Sequence, residues 1–499
     1  MKKLLIEKTR LIILLIIFLI VIIASIFHEI WRDEGEMLQI AYELSYLEIL
    51  KYSVYEGFFP FHILSLKTLI YIFNNKIFAL KFFNLFYYYI SIVIIYRVKK
   101  IPNIIFFLFS ISYPFACEYA LINRHYIMLL PSIFYLIFTE KKKINFILIS
   151  LLNLLFTGIF GIIILFSYII SRYKYFYKNF YFNKIKFSIL FLAIIVALYY
   201  VYPIGINDRT WARLRIPDPE WVKIIIKYFA YSLTYMHDLL RTDGIWNTIN
   251  NHYRINQLII TFSTFYFFIF FFKLFLIKDY KNIIFSFLSI FILVIFLLIT
   301  ERASFRHFFS IFFIVTSVFI RSLYYNNLKL ISGAREYIVN RICSIVLFSN
   351  LIISGLGSFF FLYKEINYNF SNSKNVAEYF LEKKVQCNNI ASYPAWTASS
   401  WVPYMSKECL PYQIEYDRYS GFNLLNNFYS GSETNKYNLI LQAINKKKFI
   451  LIGCENKCSE EKKFFLSLNL KNSYTIKEFA EDTLMSSDSR ENFILFFVE

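Results

Sequence analysis

The sequence predicts a polytopic α-helical membrane protein, with about eleven transmembrane helices and a small C-terminal α/β domain outside the membrane. Of the 499 residues, 58% are hydrophobic and 17% are charged, whereas soluble domains carry about 25% charged residues. The 53 Lys and Arg residues outnumber the 34 Asp and Glu residues. They fall in short clusters between apolar stretches, as in multi-span membrane proteins. This pattern excludes a cytosolic enzyme or a disordered protein, and we expect no nucleic-acid partner.

The first transmembrane span is predicted from Leu11 to about Ile30. Four basic residues precede it, which places the N-terminus in the cytoplasm. A signal peptide would end in a small-residue cleavage site, and none precedes Trp31. The sequence therefore predicts an uncleaved first span.

Basic clusters fix the other spans, because each cluster is assigned to the cytoplasmic side. The clusters are Arg97/Lys99/Lys100, Lys141–Lys143, Arg172–Lys186, Lys273/Lys278/Lys281 and Arg321–Arg341. The remaining spans are predicted over 78–96, twice within 103–138, twice within 144–171, and over 187–203, 257–277, 282–299, 305–323 and 342–363. A transmembrane domain then covers 1–364, with outer loops at 31–75 and 204–256, and the odd number of spans leaves the tail, 365–499, outside.

The tail has the pattern of a soluble α/β domain. Three short apolar runs predict buried strands, at Asn389–Tyr393, Phe449–Gly453 and Asn492–Val498. Three segments between them predict helices, at Asn375–Lys384, Tyr437–Lys447 and Ser459–Leu468. Alternating strands and helices favour a small α/β fold. No glycine-rich nucleotide-binding loop is present in the sequence.

Residues suited to acid–base chemistry and ligand stacking concentrate on one side of the predicted membrane. The histidines are His28, His62, His125, His237, His252 and His307. The tryptophans are Trp31, Trp211, Trp221, Trp246, Trp396 and Trp401. All twelve lie at or beyond the outer ends of the predicted spans. A single tryptophan there is a common bilayer anchor, but the one-sided distribution indicates a functional outer face.

The densest polar segment runs from His28 to Glu36, directly after the first span. Asp33 and Glu34 would open a surface helix that extends to about Leu50, where acidic residues suit the helix dipole. Alternatively, one of these carboxylates removes a proton from an attacking hydroxyl group. The segment alone does not decide between the structural and the catalytic interpretation.

Three further outer segments carry polar residues. They are Glu56–Leu64, Asn123–Tyr126 and Glu301–His307. Arginines at outer span ends run against the positive-inside trend, and Arg124 and Arg306 are therefore candidates for binding phosphate, whose geometry matches the guanidinium group. Snorkelling, or for Arg306 pairing with Glu301, is the structural alternative.

At these residues the chain resembles the GT-C superfamily of membrane glycosyltransferases, particularly bacterial relatives of protein O-mannosyltransferases and lipid A aminoarabinose transferases. Members carry an acidic pair in the first outer loop, a Glu-x-x-Pro-Pro-Leu-like segment opening the next helix, and an Arg-x-Tyr-like element at a later outer turn. The matching elements are Asp33-Glu34, Glu56 to His62, and Arg124 with Tyr126. The chain departs at Phe59, where the first proline of the usual pair is missing.

The resemblance implies a sugar donor carried on a polyprenyl phosphate and transfer to a hydroxyl acceptor on a glycan, lipid or protein. Asp33 would be the general base of an inverting displacement, which needs one base, with Glu34 beside it in the catalytic pair. The departing phosphate would be bound by Arg124, Arg302, Arg306 and His307. The donor or acceptor pocket would include Glu56, His62, Tyr126 and Arg209.

Two features of this site stay open. Asp33, Glu34, Glu56 and His62 could hold a divalent cation, but their spacing matches no recognisable metal motif. The outer loop 204–256, with a predicted amphipathic helix from Pro219 to Arg241, is either a lid that contacts the acceptor or a simple interfacial segment.

The cysteines fit the predicted topology. Cys387, Cys409, Cys454 and Cys458 lie in the tail, where an oxidising compartment permits disulfides, although the sequence does not fix their connectivity. Cys117 is expected to be an ordinary residue of a span, as is Cys343.

Other classes of membrane protein share parts of this pattern. A lipid or glycolipid transporter would carry ionisable residues near mid-membrane, whereas the predicted spans are poor in carboxylates. An O-antigen polymerase or ligase has many spans and a long outer loop, but it usually lacks an acidic pair after the first span. A non-catalytic scaffold is the third alternative. We therefore expect a bacterial inner-membrane enzyme whose active site is extracytoplasmic.

Overall fold

A computed structural model of the chain is mainly helical, with one small sheet near the C-terminus. It describes residues 2–56, 59–139, 143–201, 217–234, 253–300, 305–325, 334–394, 396–405, 408–422, 440, 442–443, 447–454, 463, 474–479 and 492–498. Seven described helices are long and apolar enough to cross a membrane. They support a multi-pass membrane protein, as the sequence predicts.

The helices before the tail are numbered in chain order. They are α1 (Lys2–Phe27), α2 (Arg32–Glu43), α3 (Tyr46–Glu56), α4 (Phe61–Phe73), α5 (Lys76–Tyr96), α6 (Asn103–Ser110), α7 (Leu129–Phe138), α8 (Ile144–Leu155), α9 (Ile159–Ser171), α10 (Tyr173–Phe182), α11 (Lys184–Val201), α12 (Pro219–Leu233), α13 (Tyr253–Leu276), α14 (Tyr280–Thr300), α15 (Phe305–Tyr324) and α16 (Ala334–Asn367). The seven candidate spans lie in α1, α5, α11, α13, α14, α15 and α16.

The predicted count of eleven spans depends on the region 103–171. Helices α6 to α9 have 8 to 13 residues each, and a lone helix needs about 20 residues to cross the hydrocarbon core. Helix α9 and α10 make one further span if the bent pair is counted together. The structure thus supports seven spans, or up to eight, and eleven stays a prediction. Helices α8 and α9 are separated by a turn that ends at Gly158, whose φ is 72°.

Two basic side chains tie α1 and α5 together at opposite ends. Lys81 of α5 donates to the carbonyls of Ser25, Ile26 and His28, where α1 ends. Arg10 of α1 donates to the carbonyls of Ile95, Val98 and Ile101, where α5 ends. Cations at these positions satisfy the last carbonyls of a helix. We call the end of the bundle at His28 the outer end and the end at Val98 the inner end.

The outer loop after α1 contains three short helices. The sequence predicted one helix from Asp33 to about Leu50, and this prediction is wrong because the chain breaks between α2 and α3. Glu48 accepts a hydrogen bond from the Ser45 N–H at 2.7 Å, and the Ser45 hydroxyl accepts one from the Glu48 N–H at 3.3 Å. This reciprocal capping box starts α3, and its Ser-x-x-Glu pattern was readable in the sequence.

Helix α12 agrees with part of the predicted segment from Pro219 to Arg241. The Asp218 side chain accepts a hydrogen bond from the Glu220 N–H and caps its start. Ile225 and Leu233 are buried, and α12 packs against α13 and α15. The described part of this loop is therefore attached to the bundle, and most of 204–256 lies outside the described residues.

The tail contains helices α17 (Ser373–Glu382) and α18 (Trp396–Trp401) and a six-stranded sheet. The strands are β1 (Ile390–Tyr393), β2 (Tyr412–Gln413), β3 (Arg418–Tyr419), β4 (Phe449–Cys454), β5 (Tyr474–Phe479) and β6 (Asn492–Val498), in the order β3-β2-β1-β4-β6-β5. Strand β1 is parallel to β2 and β4, and the other pairings are antiparallel. All three predicted strands and the helix at 375–384 are confirmed. The other two predicted helices lie largely outside the described residues.

The described cysteines of the tail are all disulfide-bonded, whereas the sequence left their connectivity open. Cys387 and Cys409 form a disulfide. Cys454 is also disulfide-bonded, and its partner lies outside the described residues. Cys117 and Cys343 are free and buried. Among the described cysteines, therefore, only those of the tail are oxidised.

The tail packs directly on α2. A Cβ atom added to Gly35 would lie 1.9 Å from the Ser399 carbonyl oxygen, so α2 and α18 meet backbone to backbone. At the other end of α2, Glu43 accepts hydrogen bonds from the Gly421 N–H at 2.7 Å and the Ser420 hydroxyl at 2.9 Å. Both ends of α2 are thus held by the tail.

We predict that Gly35→Ala loosens the tail from α2, because no methyl group fits against Ser399 without a backbone shift. Overpacking of this kind costs about 1–3 kcal/mol. The variant should melt at a lower apparent temperature and release the tail faster under limited proteolysis.

Gly355→Ala in α16 is the matched control, since its added Cβ would lie 3.5 Å from the Leu108 side chain, an ordinary contact. Equal melting temperatures and cleavage rates for Gly35→Ala and the wild type would contradict the close packing of α2 on α18.

Candidate functional site

A fully buried carboxylate, Glu34, lies in the first turn of α2. Its oxygens lie 3.1 Å from Nε2 of His28 and accept a hydrogen bond from the Trp31 N–H at 3.2 Å. The side-chain amide of Asn123 donates at 3.0 Å, and the Asn123 N–H also donates. A carboxylate removed from water is tolerated only with such compensation. Glu34 therefore joins the end of α1, the start of α2 and a turn some 90 residues later in the chain.

His28 connects this carboxylate to the last membrane helix. Its Nδ1 lies 2.7 Å from Oε1 of Glu365, near the end of α16. Burial lowers the pKa of His28, but the carboxylates of Glu34 and Glu365 outweigh burial and raise it to about 10. The imidazole is therefore protonated at neutral pH and lies between two carboxylates. We refer to Glu34, His28, Asn123 and Glu365 as the Glu34 cluster.

The turn that carries Asn123 is built on a short π-helix, Tyr113–Tyr119, which is buried throughout. The side-chain amide of Asn84 in α5 donates to the carbonyls of Tyr119 and Ile122, at 3.2 Å each. Arg124 follows in an extended conformation and precedes a 3-10 turn. π-Helices are rare and recur at functional sites. Here the turn after the π-helix positions Asn123 and Arg124 against α2.

Asp33 forms an ion pair with Arg124 at the edge of the Glu34 cluster. The Asp33 side chain is 27% exposed, whereas that of Arg124 is 12% exposed. The Arg124 guanidinium also lies 5.0 Å from the centre of the Trp31 ring. Asp33 and Glu34 are thus consecutive carboxylates in different environments, because α2 directs one toward solvent and the other into the protein.

Imidazole and aromatic rings form a row beside this ion pair. The ring centres of His62 and His125 are 6.1 Å apart, and those of Tyr126 and His307 are 5.8 Å apart. His307 stacks on Phe160 at 5.4 Å. Helices α4, α9 and α15 and the 124–128 turn thus meet here, and the predicted residues His62, Tyr126 and His307 come together.

His62 is the unusual member of this row. Its ring is buried, and neither nitrogen has a hydrogen-bond partner within the described part of the chain. Burial lowers its pKa to about 3, so the ring is neutral. Unpaired buried nitrogens are costly in a protein core, and they are suited to binding a polar ligand.

Four predicted site residues are not placed by the structure. Arg209 and Arg302 lie outside the described residues, as do the side chains of Glu56 and Arg306. The described residues contain no group of three or more His, Cys, Asp or Glu side chains that could hold a metal ion.

Sequence reasoning assigned no role to three residues that build the site. Asn123 binds Glu34, and Glu365 binds His28. The ring centre of Trp396, in the tail, lies 5.3 Å from the guanidinium of Arg32, the residue before Asp33. Glu365 offered a usable signal, because a carboxylate near the end of an apolar helix needs a partner. Trp396 offered none, since its approach depends on how the tail packs.

The sequence of the chain matches no protein-family model and no curated protein. A function is therefore inferred from the chemistry of the side chains at the outer end. A partly exposed carboxylate, an arginine paired with it and a row of imidazole and aromatic rings suit proton transfer beside an anionic group.

We predict that stability decreases as pH rises from about 6.5 to about 10. An unfolded histidine loses its proton near pH 6.5, whereas folded His28 keeps it up to about pH 10. A raised pKa stabilises the fold fully below the unfolded value, and this contribution disappears across that interval. Apparent melting temperature measured against pH tests this expectation.

His28→Gln should flatten that pH dependence, while His125→Gln, the control in the same region, should retain it. A His28→Gln profile parallel to that of the wild type would show that His28 is not the titrating group.

Proposed function

We propose that the chain is an integral membrane glycosyltransferase that moves a sugar from a polyprenyl-phosphate donor to a hydroxyl acceptor at the outer face. The observation that supports this most is the ion pair between Asp33 and Arg124, which are 91 residues apart in the sequence. They belong to two of the motif elements that resemble the GT-C superfamily. Their meeting supports the proposal, because this transfer requires an acid–base group beside a group that binds phosphate.

Asp33 is the proposed general base. Its carboxylate is partly exposed at the first turn of α2, where an acceptor hydroxyl can reach it. It would take the hydroxyl proton as the acceptor oxygen attacks the anomeric carbon and the bond to the donor phosphate breaks. Inversion at that carbon needs one base. The partly exposed position of Asp33 suits this role better than the buried position of Glu34.

Glu34 is proposed to position Asp33 rather than to react. All of its surface is buried, and the Glu34 cluster uses both of its oxygens. Those bonds fix the first turn of α2 against the turn that carries Arg124. Catalytic groups act efficiently only when neighbouring bonds hold them in place. The second carboxylate of the motif therefore supplies geometry.

Arg124 is proposed to receive the departing phosphate. Its guanidinium already faces one anionic partner, Asp33, and its surroundings exclude most water. Such a group stabilises charge that develops on a leaving oxygen. His307 and Tyr126 lie in the adjoining row, and we extend the same phosphate contact to Arg302 and Arg306.

The acceptor side is proposed to involve His62 and the tail. The unpaired nitrogens of His62 suit hydroxyl groups of a sugar or an acceptor. Trp396, over Arg32, brings an aromatic surface of the tail to the neighbourhood of Asp33. Glu56 and Arg209 complete the proposed pocket. The acceptor would then lie between α2 and the tail.

We predict that Asp33→Asn lowers turnover by about 10²–10⁴-fold, since a positioned base contributes that much. The amide keeps the shape of the side chain, so melting temperature should change little. The assay uses the protein reconstituted in liposomes made with native membrane lipids. Mass spectrometry then measures the release of polyprenyl phosphate from its sugar adduct.

Glu48→Gln is the control, because Glu48 is an exposed carboxylate of the same outer loop, on α3. Turnover of Asp33→Asn at the wild-type rate would reject Asp33 as the base. Movement of intact lipid without loss of its sugar would favour a transporter.

We predict that Arg124→Gln abolishes retention of the lipid donor. Wild-type protein in detergent should carry polyprenyl phosphate or its sugar adduct, and the mass of the adduct would identify the sugar class. The neutral amide removes the charge that binds the phosphate, which weakens binding by at least about tenfold.

Arg341→Gln is the matched control, because Arg341 is an exposed arginine of α16, 24 residues before Glu365 in the sequence. Equal amounts of the lipid in wild type and Arg124→Gln would contradict the phosphate role of Arg124. Bulk phospholipid alone in every sample would remove the main chemical support for the transferase.

A further inference from the structure

A cavity lined in part by basic residues lies at the inner end, at the other end of α5 from the Glu34 cluster. Its volume is about 430 Å³, within the range of small-ligand sites. The lining residues are Ile94, Arg97, Val98, Lys99, Lys100, Tyr135, Phe138, Thr139 and Tyr325. They come from the end of α5, the loop after it, the end of α7 and the end of α15. We call this space the inner cavity.

Three basic side chains line the inner cavity. Arg97, Lys99 and Lys100 line it, and the Lys100 ammonium lies 4.6 Å from the Tyr325 ring centre. The Arg321 guanidinium lies 5.5 Å from the same ring. Glu7 pairs with Lys99 at 2.6 Å. Positive charge therefore exceeds negative charge around the inner cavity within the part of the chain that the structure describes.

These cations are not needed to cap α5. Lysines and arginines at a helix C-terminus commonly bind the last carbonyls. Here Arg10 of α1 binds the carbonyls of Ile95, Val98 and Ile101. Arg10 thereby fixes the loop that carries Lys99 and Lys100. The positive-inside trend accounts for basic residues at this end of α5, and their clustering around one concavity also forms a site suited to an anion.

The other lining residues are apolar or carry hydroxyl groups. Ile94, Val98 and Phe138 are apolar, while Tyr135 and Thr139 offer hydroxyl groups. A free inorganic anion gains no favourable contact from apolar side chains. A lipid headgroup has a phosphate for the cations, and its glycerol and first methylene groups for the apolar side. The inner cavity matches that combination.

We propose that the inner cavity binds the phosphate of an anionic phospholipid headgroup. Arg97, Lys99 and Lys100 contact the phosphate, and the apolar lining residues contact the first methylene groups of the acyl chains. The site is independent of the proposed transfer reaction, because it lies at the other end of the bundle and shares no residue with the Glu34 cluster. It would anchor the inner ends of α5, α7 and α15 to one lipid molecule.

The test is native mass spectrometry of the full chain in detergent with added dioleoyl phosphatidylglycerol or dioleoyl phosphatidylcholine. Wild-type protein should retain phosphatidylglycerol more strongly. The triple variant Arg97→Gln/Lys99→Gln/Lys100→Gln should bind it about tenfold or more weakly, since each cation near an anionic lipid contributes to binding.

A second triple variant, Lys174→Gln/Lys178→Gln/Lys184→Gln, removes the same charge from exposed positions on α10 and α11. It should retain phosphatidylglycerol like the wild type. Equal loss in both triple variants would indicate a general charge effect and overturn the site, as would equal binding by the first triple variant and the wild type.

Inorganic phosphate and glycerol 3-phosphate, added as competitors, separate the two sources of phosphate. Failure of both to displace phosphatidylglycerol supports a lipid in the inner cavity. If inorganic phosphate displaces phosphatidylglycerol at the same concentration as a competing lipid does, the cavity binds a free anion and the lipid proposal is overturned. Thermal melting of each variant shows that the chain is folded.

Discussion

The buried carboxylate of Glu34 imposes the strongest constraint on this structure. A charge removed from water costs several kcal/mol unless its partners are complete. The partners of Glu34 come from α1, from the start of α2 and from the turn after the π-helix, and His28 extends the network to α16. Elements distant in sequence must therefore assemble together around one side chain.

That constraint accounts for the geometry of the neighbouring carboxylate. Because Glu34 is fixed, the Asp33 side chain is oriented toward Arg124 and the solvent. The tail adds a second restraint, since α18 packs on Gly35 and the tail also binds Glu43. Helix α2 is thereby held on several sides, and the partly exposed carboxylate inherits a fixed position without being buried itself.

The sequence predicted the parts of this architecture that depend on local pattern. Apolar runs located the long helices, and the strands at β1, β4 and β6 were evident from short buried runs. The break between α2 and α3 was missed although Ser45 and Glu48 signal it. The partners of Glu34 were beyond sequence reasoning, because Asn123 and Glu365 are joined to α2 by packing across the bundle. Helices α6 to α9, where the sequence predicted four spans, are shorter than a lone membrane-spanning helix requires.

The pairing of His28 with Glu365 has a consequence for biosynthesis. These residues are 337 positions apart, and the ribosome delivers the N-terminal one first. His28 lacks its partner Glu365 until α16 has been synthesised and inserted. The first loop therefore remains in water or beside the translocation machinery until that point. A nascent chain that stops short of α16 cannot close the outer end. Completion of this network thus marks a chain that has been synthesised and inserted as far as the end of α16.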